Sequence, residues 1–190
     1  MKRFFQSFAY LLSVHVTGLL FLTLFRLLFW MDVRPQVPDE LRNDASMVLT
    51  AFVRGVWFDN VIACYVLIVP LAVCGIAALF GYYGKWLFRS FHYYFVVLYA
   101  VLFLSAAANI PYYLYFTKVL NSSIFNWFEY GTTTASMVVG ESSYYKYIAY
   151  FLVATILFAL LTGRYTKVLR SHLTRPETVS WLRRGGILLA

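Results

Sequence analysis

Four stretches of this chain are apolar for long enough to cross a lipid bilayer. They run over 4–30, 59–82, 91–116 and 147–163. A helix needs about 20 apolar residues to cross a hydrocarbon core about 30 Å thick. The centre of the first, 9–25, carries no charge, and Ser13, His15 and Thr17 are its only polar interruptions. Pro70 falls near the middle of the second stretch. Pro111, late in the third, removes a backbone donor and leaves the Ala107 carbonyl without its usual partner, which predicts a kink near that helix end. Residues 105–108 are all small and permit close helix contact. The pattern predicts an all-α polytopic membrane helix bundle with four complete spans. A further apolar run starts at about 185, behind Arg183 and Arg184. Residues 185–190 extend only about 9 Å as a helix, so the sequence reads as entering a fifth span and stopping there.

The connecting segments carry their own patterns. In 31–58, Asp32, Pro35 and Pro38 predict irregular chain. Asp39 and Glu40 then precede Leu41, Ala45, Val48, Leu49 and Phe52 at helical spacing. That predicts a short helix lying on the membrane surface. Segment 117–146 is rich in Asn, Ser, Thr and Gly, with Ile124, Phe125, Trp127, Phe128 and Tyr130 clustered together. It reads as an interfacial loop in the headgroup zone.

Composition agrees with a lipid-solvated chain. Hydrophobic residues make up 62% and charged residues 13%, half the fraction usual in soluble domains. Aromatics reach 21%, which suits several loops held at the headgroups. The net charge of +8 sits mostly in those loops, where it sets orientation and attracts anionic lipid. No basic nucleic-acid-binding module is present, so nucleic acid is not a partner. Ten of the sixteen Lys and Arg fall in the N-terminus, 83–90 and 164–184, which predicts a cytoplasmic N-terminus. The N-terminal run is too long for a signal peptide and lacks a cleavage site, so it reads as an uncleaved anchor. Cys64 and Cys74 lie about 15 Å apart along one helix, beyond disulfide reach, and read as small packing residues.

Charged and amide groups near hydrocarbon are expensive and mark candidate sites. Arg26, late in span one, Arg54, just before span two, Asp59 and Asn60, at its start, and Asn109, late in span three, share roughly one depth. Two readings stand side by side. One is an interhelical clamp with an arginine paired to Asp59; the other is a headgroup-side site for a lipid phosphate built on Arg26, Arg54, Asp59 and Asn109. His15, near mid-membrane, has no second ligand on its span and reads as a helix-packing hydrogen bonder. No phosphate loop, metal-spaced cluster or nucleophile with a base is present. Nothing in these residues assigns catalysis or a cofactor to this chain.

Two stretches carry a family resemblance. Arg54 and Gly55 lead through Trp57 into Phe58-Asp59 at the start of span two, with Trp57 where the family carries a basic residue. Span three ends in Asn109-Ile110-Pro111-Tyr112, followed by Leu120-Asn121-Ser122-Ser123. In these, and in its span plan, the chain resembles the N-terminal membrane domain of the lipoteichoic acid synthase-like sulfatases, of the alkaline phosphatase superfamily. The resemblance implies a prokaryotic cytoplasmic membrane and a fifth span. It also implies an external catalytic domain, absent from these residues, with a Thr nucleophile and a divalent metal. The chain would then anchor that domain at the outer leaflet, with membrane lipid as its other partner. Two alternatives remain: a complete small transporter or channel subunit, and a membrane interaction subunit.

Overall fold

The computed structural model describes residues 2–80, 84–120, 140 and 142–173. Those residues are helical almost throughout, and no strand occurs among them. Helix α1 spans Lys2–Val33 and runs into a 3-10 turn at Arg34–Gln36. Helix α2 is a single turn, Asp39–Arg42. Helices α3 (Ala45–Phe80) and α4 (Lys85–Phe116) follow, and a 3-10 turn at Ser142–Tyr144 opens α5 (Tyr145–Leu173). Four helices are long and apolar enough to cross a membrane. The protein is therefore a multi-pass α-helical membrane protein, as the hydropathy pattern predicts. The expected fifth span and the aromatic cluster of the 117–146 segment lie outside the described residues.

The helices outrun the hydrocarbon. α3, with 36 residues, is about 54 Å long against a core of about 30 Å. Its ends must stand among headgroups or be taken up by tilt. This changes the reading of 31–58. The expected surface helix breaks at Asn43 and Asp44, and its second half is the first part of α3. The break has a local cause. Asp44 Oδ1 accepts from the backbone N–H of Ser46 at 2.9 Å and of Met47 at 3.1 Å, and from Ser46 Oγ at 2.7 Å. A carboxylate so placed is an N-cap and starts a new helix. These bonds, led by the Ser46 hydroxyl, hold the exposed Asp44 carboxyl below its ordinary value.

α4 ends for a different reason. Pro111 lies inside it, yet the helix continues to Phe116. It stops at Thr117, whose φ of 54° is left-handed and whose N–H donates to the Tyr113 carbonyl at 2.8 Å. That is the usual closing geometry of a helix, with a β-branched residue where glycine is favoured.

The described helices divide into two units. The first takes α1 up to Leu20, residues Phe58–Leu98, and α5 from Leu157. Its interior is built on Tyr10, Val14, Ala63, Phe88, Phe95 and Phe158, all buried. Tyr10 stands edge-on to Phe88 and Phe95. Cys74 packs here, whereas Cys64 is exposed, so only one of the two cysteines is a packing residue. The second unit takes Phe21–Trp57 and Tyr99–Ile156. Phe25 stacks on Phe103 at 5.6 Å, Phe21 lies 5.5 Å from the same ring, and Phe29 meets Tyr113 edge-on. Along α4, buried Phe88, Phe91, Phe95, Tyr99, Phe103 and Ala107 recur at three- and four-residue spacing. That single stripe gives the helix its inward face in both units. Leu20, Tyr65, Ile68, Val97, Ile156 and Leu160 are more than half exposed, as lipid-facing side chains must be.

Candidate functional site

In the first unit the polar side chains of the helices meet one another. His15 Nε2 donates to Asn60 Oδ1 at 2.9 Å, joining α1 to α3. Tyr94 donates from its hydroxyl to the Val66 carbonyl at 3.0 Å, joining α4 to α3. Thr162 Oγ1 lies 3.2 Å from His92 Nδ1, joining α5 to α4. Tyr10 and Thr166 meet at 3.1 Å, and Thr17 and Tyr165 at 3.3 Å, joining α1 to α5. Bonds of this kind therefore join α1 to α3, α3 to α4, α4 to α5 and α5 to α1.

Counting protons fixes the direction of several of these bonds. Each threonine has one hydroxyl proton. Thr162, Thr166 and Thr17 give theirs to backbone carbonyls one turn back, those of Phe158, Thr162 and Ser13. His92 must then donate from Nδ1, and Tyr10 and Tyr165 from their hydroxyls. The arrangement holds the His92 ring against α5 at Gly163, where a β-carbon would come within 3.5 Å of His92 Cε1. His15 Nδ1 is buried with no hydrogen-bond partner among the described residues.

The residues singled out from the sequence are divided between the two units. Arg26, Arg54 and Asn109 belong to the second unit and Asp59 to the first. Arg26 packs its guanidinium onto α3 at Gly55, in the space a side chain there would need. Arg54 is exposed. Asn109 Oδ1 accepts from the Leu120 N–H at 2.8 Å and so ties down the chain just after α4. Asn60 lies well inside α3, which begins at Ala45, and bonds to His15.

One ion pair had no sequence signal. Lys146 Nζ lies 3.0 Å from Asp32 Oδ2, linking the end of α1 to the start of α5 within the second unit. The same ammonium sits 4.7 Å from the centre of the Tyr147 ring. The two partners are more than a hundred residues apart, and neither lies in a recognisable motif.

The second unit also contains an open cleft of about 500 Å³ beside the turn between α1 and α3. Trp30, Arg34, Arg42, Asn43, Leu49 and Phe52 are among its lining residues. Among the described residues, no three of His, Cys, Asp and Glu gather in a way that could hold a metal ion. No family model matches the chain, and neither a curated protein nor a solved structure does.

Proposed function

We propose that the chain is the membrane-anchoring domain of a lipoteichoic acid synthase-like sulfatase or phosphoglycerol transferase. In this reading it holds an external, metal-dependent catalytic domain at the outer leaflet of a prokaryotic cytoplasmic membrane, with its N-terminus in the cytoplasm. Tethering an enzyme at the surface that holds its lipid substrate raises their effective concentration.

The observation that carries the reading is the set of hydrogen bonds between helices in the first unit. A transporter keeps polar groups free to face a substrate path near the midplane. Here His15 is engaged with Asn60, His92 with Thr162, and Tyr10 with Thr166, each across helices. Such bonds fix helix against helix, which suits a static anchor. The Arg54-Gly55 and Asn109-Ile110-Pro111 stretches support the family assignment.

The test is made on the native protein. An antibody against this chain should detect a species far larger than 22.0 kDa, copurifying with a metal-dependent activity on phosphoglycerol lipid or a sulfate ester. Arg54→Ala should weaken lipid turnover by that protein without lowering its level in the membrane. A native species of 22.0 kDa with no such activity would reject the reading.

A further inference from the structure

The cleft of the second unit has a lining that is both cationic and apolar. Arg34, Arg42 and Asn43 line it together with Trp30, Leu49 and Phe52. Among the described residues, no acidic one lines it. Among the described residues Arg34 has no carboxylate partner, and it is exposed. Arg42 pairs with Asp39, three residues away on α2, in an exposed contact of the kind that stabilises little. An incoming anion can share or replace that partner. Leu49 is 66% exposed although it is fully apolar, so the wall invites hydrocarbon. The cleft sits where α1 ends and α3 begins, and Trp30 there is the residue type that gathers at headgroup level.

We infer that this cleft is a binding site for an anionic glycerophospholipid. Arg34 and Arg42 hold the phosphate, and the glycerol and upper acyl chain lie along Trp30, Leu49 and Phe52. Arginine presents a planar fork of donors that matches two phosphate oxygens at once, and its weak hydration lowers the cost of bringing it to a headgroup. A volume of about 500 Å³ accommodates a glycerophosphate group with the first methylenes of a chain. A zwitterionic choline lipid carries the same phosphate but brings a cation towards two arginines, so the site discriminates by charge. Neither Arg26 nor Arg54 lines the cleft, and the inference does not rest on the anchor reading.

The test is lipid-selective quenching of Trp30 in the full chain reconstituted into vesicles. The chain has five tryptophans, so the Trp30 signal is the difference between the protein and Trp30→Phe. Vesicles of phosphatidylcholine are doped with chain-brominated phosphatidylglycerol or, at equal fraction, chain-brominated phosphatidylcholine. The expected result is preferential quenching by the glycerol lipid, with a relative affinity about tenfold in its favour. Arg34→Gln with Arg42→Gln should abolish the preference, and Arg34→Lys should reduce it. Arg89→Gln, which removes one charge from exposed α4 surface, should keep it. Helix content by circular dichroism identifies any variant that has not folded; the Arg34→Lys result then decides. Equal quenching by both lipids overturns the proposal, as does a preference that survives loss of both arginines or disappears equally in Arg89→Gln. Recovery of Trp30 emission on adding inorganic phosphate would assign the site to a free anion and also overturn it.

Discussion

The guanidinium of Arg26 occupies the space over Gly55 that a β-carbon would fill. A long cation can lie flat on α3 at that point only because residue 55 has no side chain. The colliding atoms are the far end of a flexible side chain, so Gly55→Ala should displace Arg26 rather than unfold the helix. The expected cost is about 1–2 kcal/mol, in the range for overpacking. In an Arg26→Ala background the same change should become neutral or stabilising, because alanine is the better helix former by about 1 kcal/mol. Equilibrium unfolding of the four proteins in mixed micelles gives the coupling, and additive effects would refute the contact.

The His15–Asn60 bond makes a second prediction. Asn60→Ala leaves the His15 Nε2 donor without its partner between helices. It should cost about 0.6 kcal/mol, the average measured for interhelical hydrogen bonds in a membrane protein, and at most about 1.7 kcal/mol. Replacing both residues by leucine should cost less than the single change, because no buried donor is then stranded. Unfolding midpoints of the single and double variants provide the comparison.

Thr117 closes α4 in a backbone conformation that costs a β-branched residue roughly 1–2 kcal/mol. Glycine takes that conformation freely but loses more chain entropy, by about 0.5–1 kcal/mol. Thr117→Gly should therefore raise stability by up to about 1 kcal/mol, whereas Thr117→Val should not. Thermal melts followed by circular dichroism would show it; a lower midpoint for the glycine variant would mean that α4 closes differently.

Asp44 predicts a pH dependence confined to the first turn of α3. Its folded pKa lies below the ordinary 3.8, led by the hydrogen bond from Ser46. The cap therefore contributes fully above about 3.8 and is lost as pH falls through the lower folded value. Amide exchange at Ser46 and Met47 should accelerate over that acidic window. Asp44→Asn keeps a capping oxygen and should flatten the response; Asp44→Ala should show fast exchange at every pH.

The fold class was legible because a lipid solvent imposes one dominant constraint. A long uncharged run must be helical to satisfy its own backbone, and the four runs are plain in the sequence. Helix ends were less legible. Hydropathy marks where a helix enters hydrocarbon, whereas Ala45 starts α3 because Asp44 caps it, a short-range polar event that a hydropathy average ignores. The His15 reading as a packing hydrogen bonder agrees with its bond to Asn60, yet nothing along the chain named that partner.

What the sequence determined by itself is a multi-pass helical protein whose charges collect at the helix ends, because burying charge in hydrocarbon is too costly. The tertiary structure alone decided which polar groups meet. Asp32 finds Lys146, Tyr10 finds Thr166, and Arg34 comes to line the same cleft as Arg42 and Phe52. Those pairings depend on the rotation of each helix about its axis. That rotation is set by interlocking side chains such as Phe25 against Phe103, and no single helix carries it in its own residue pattern.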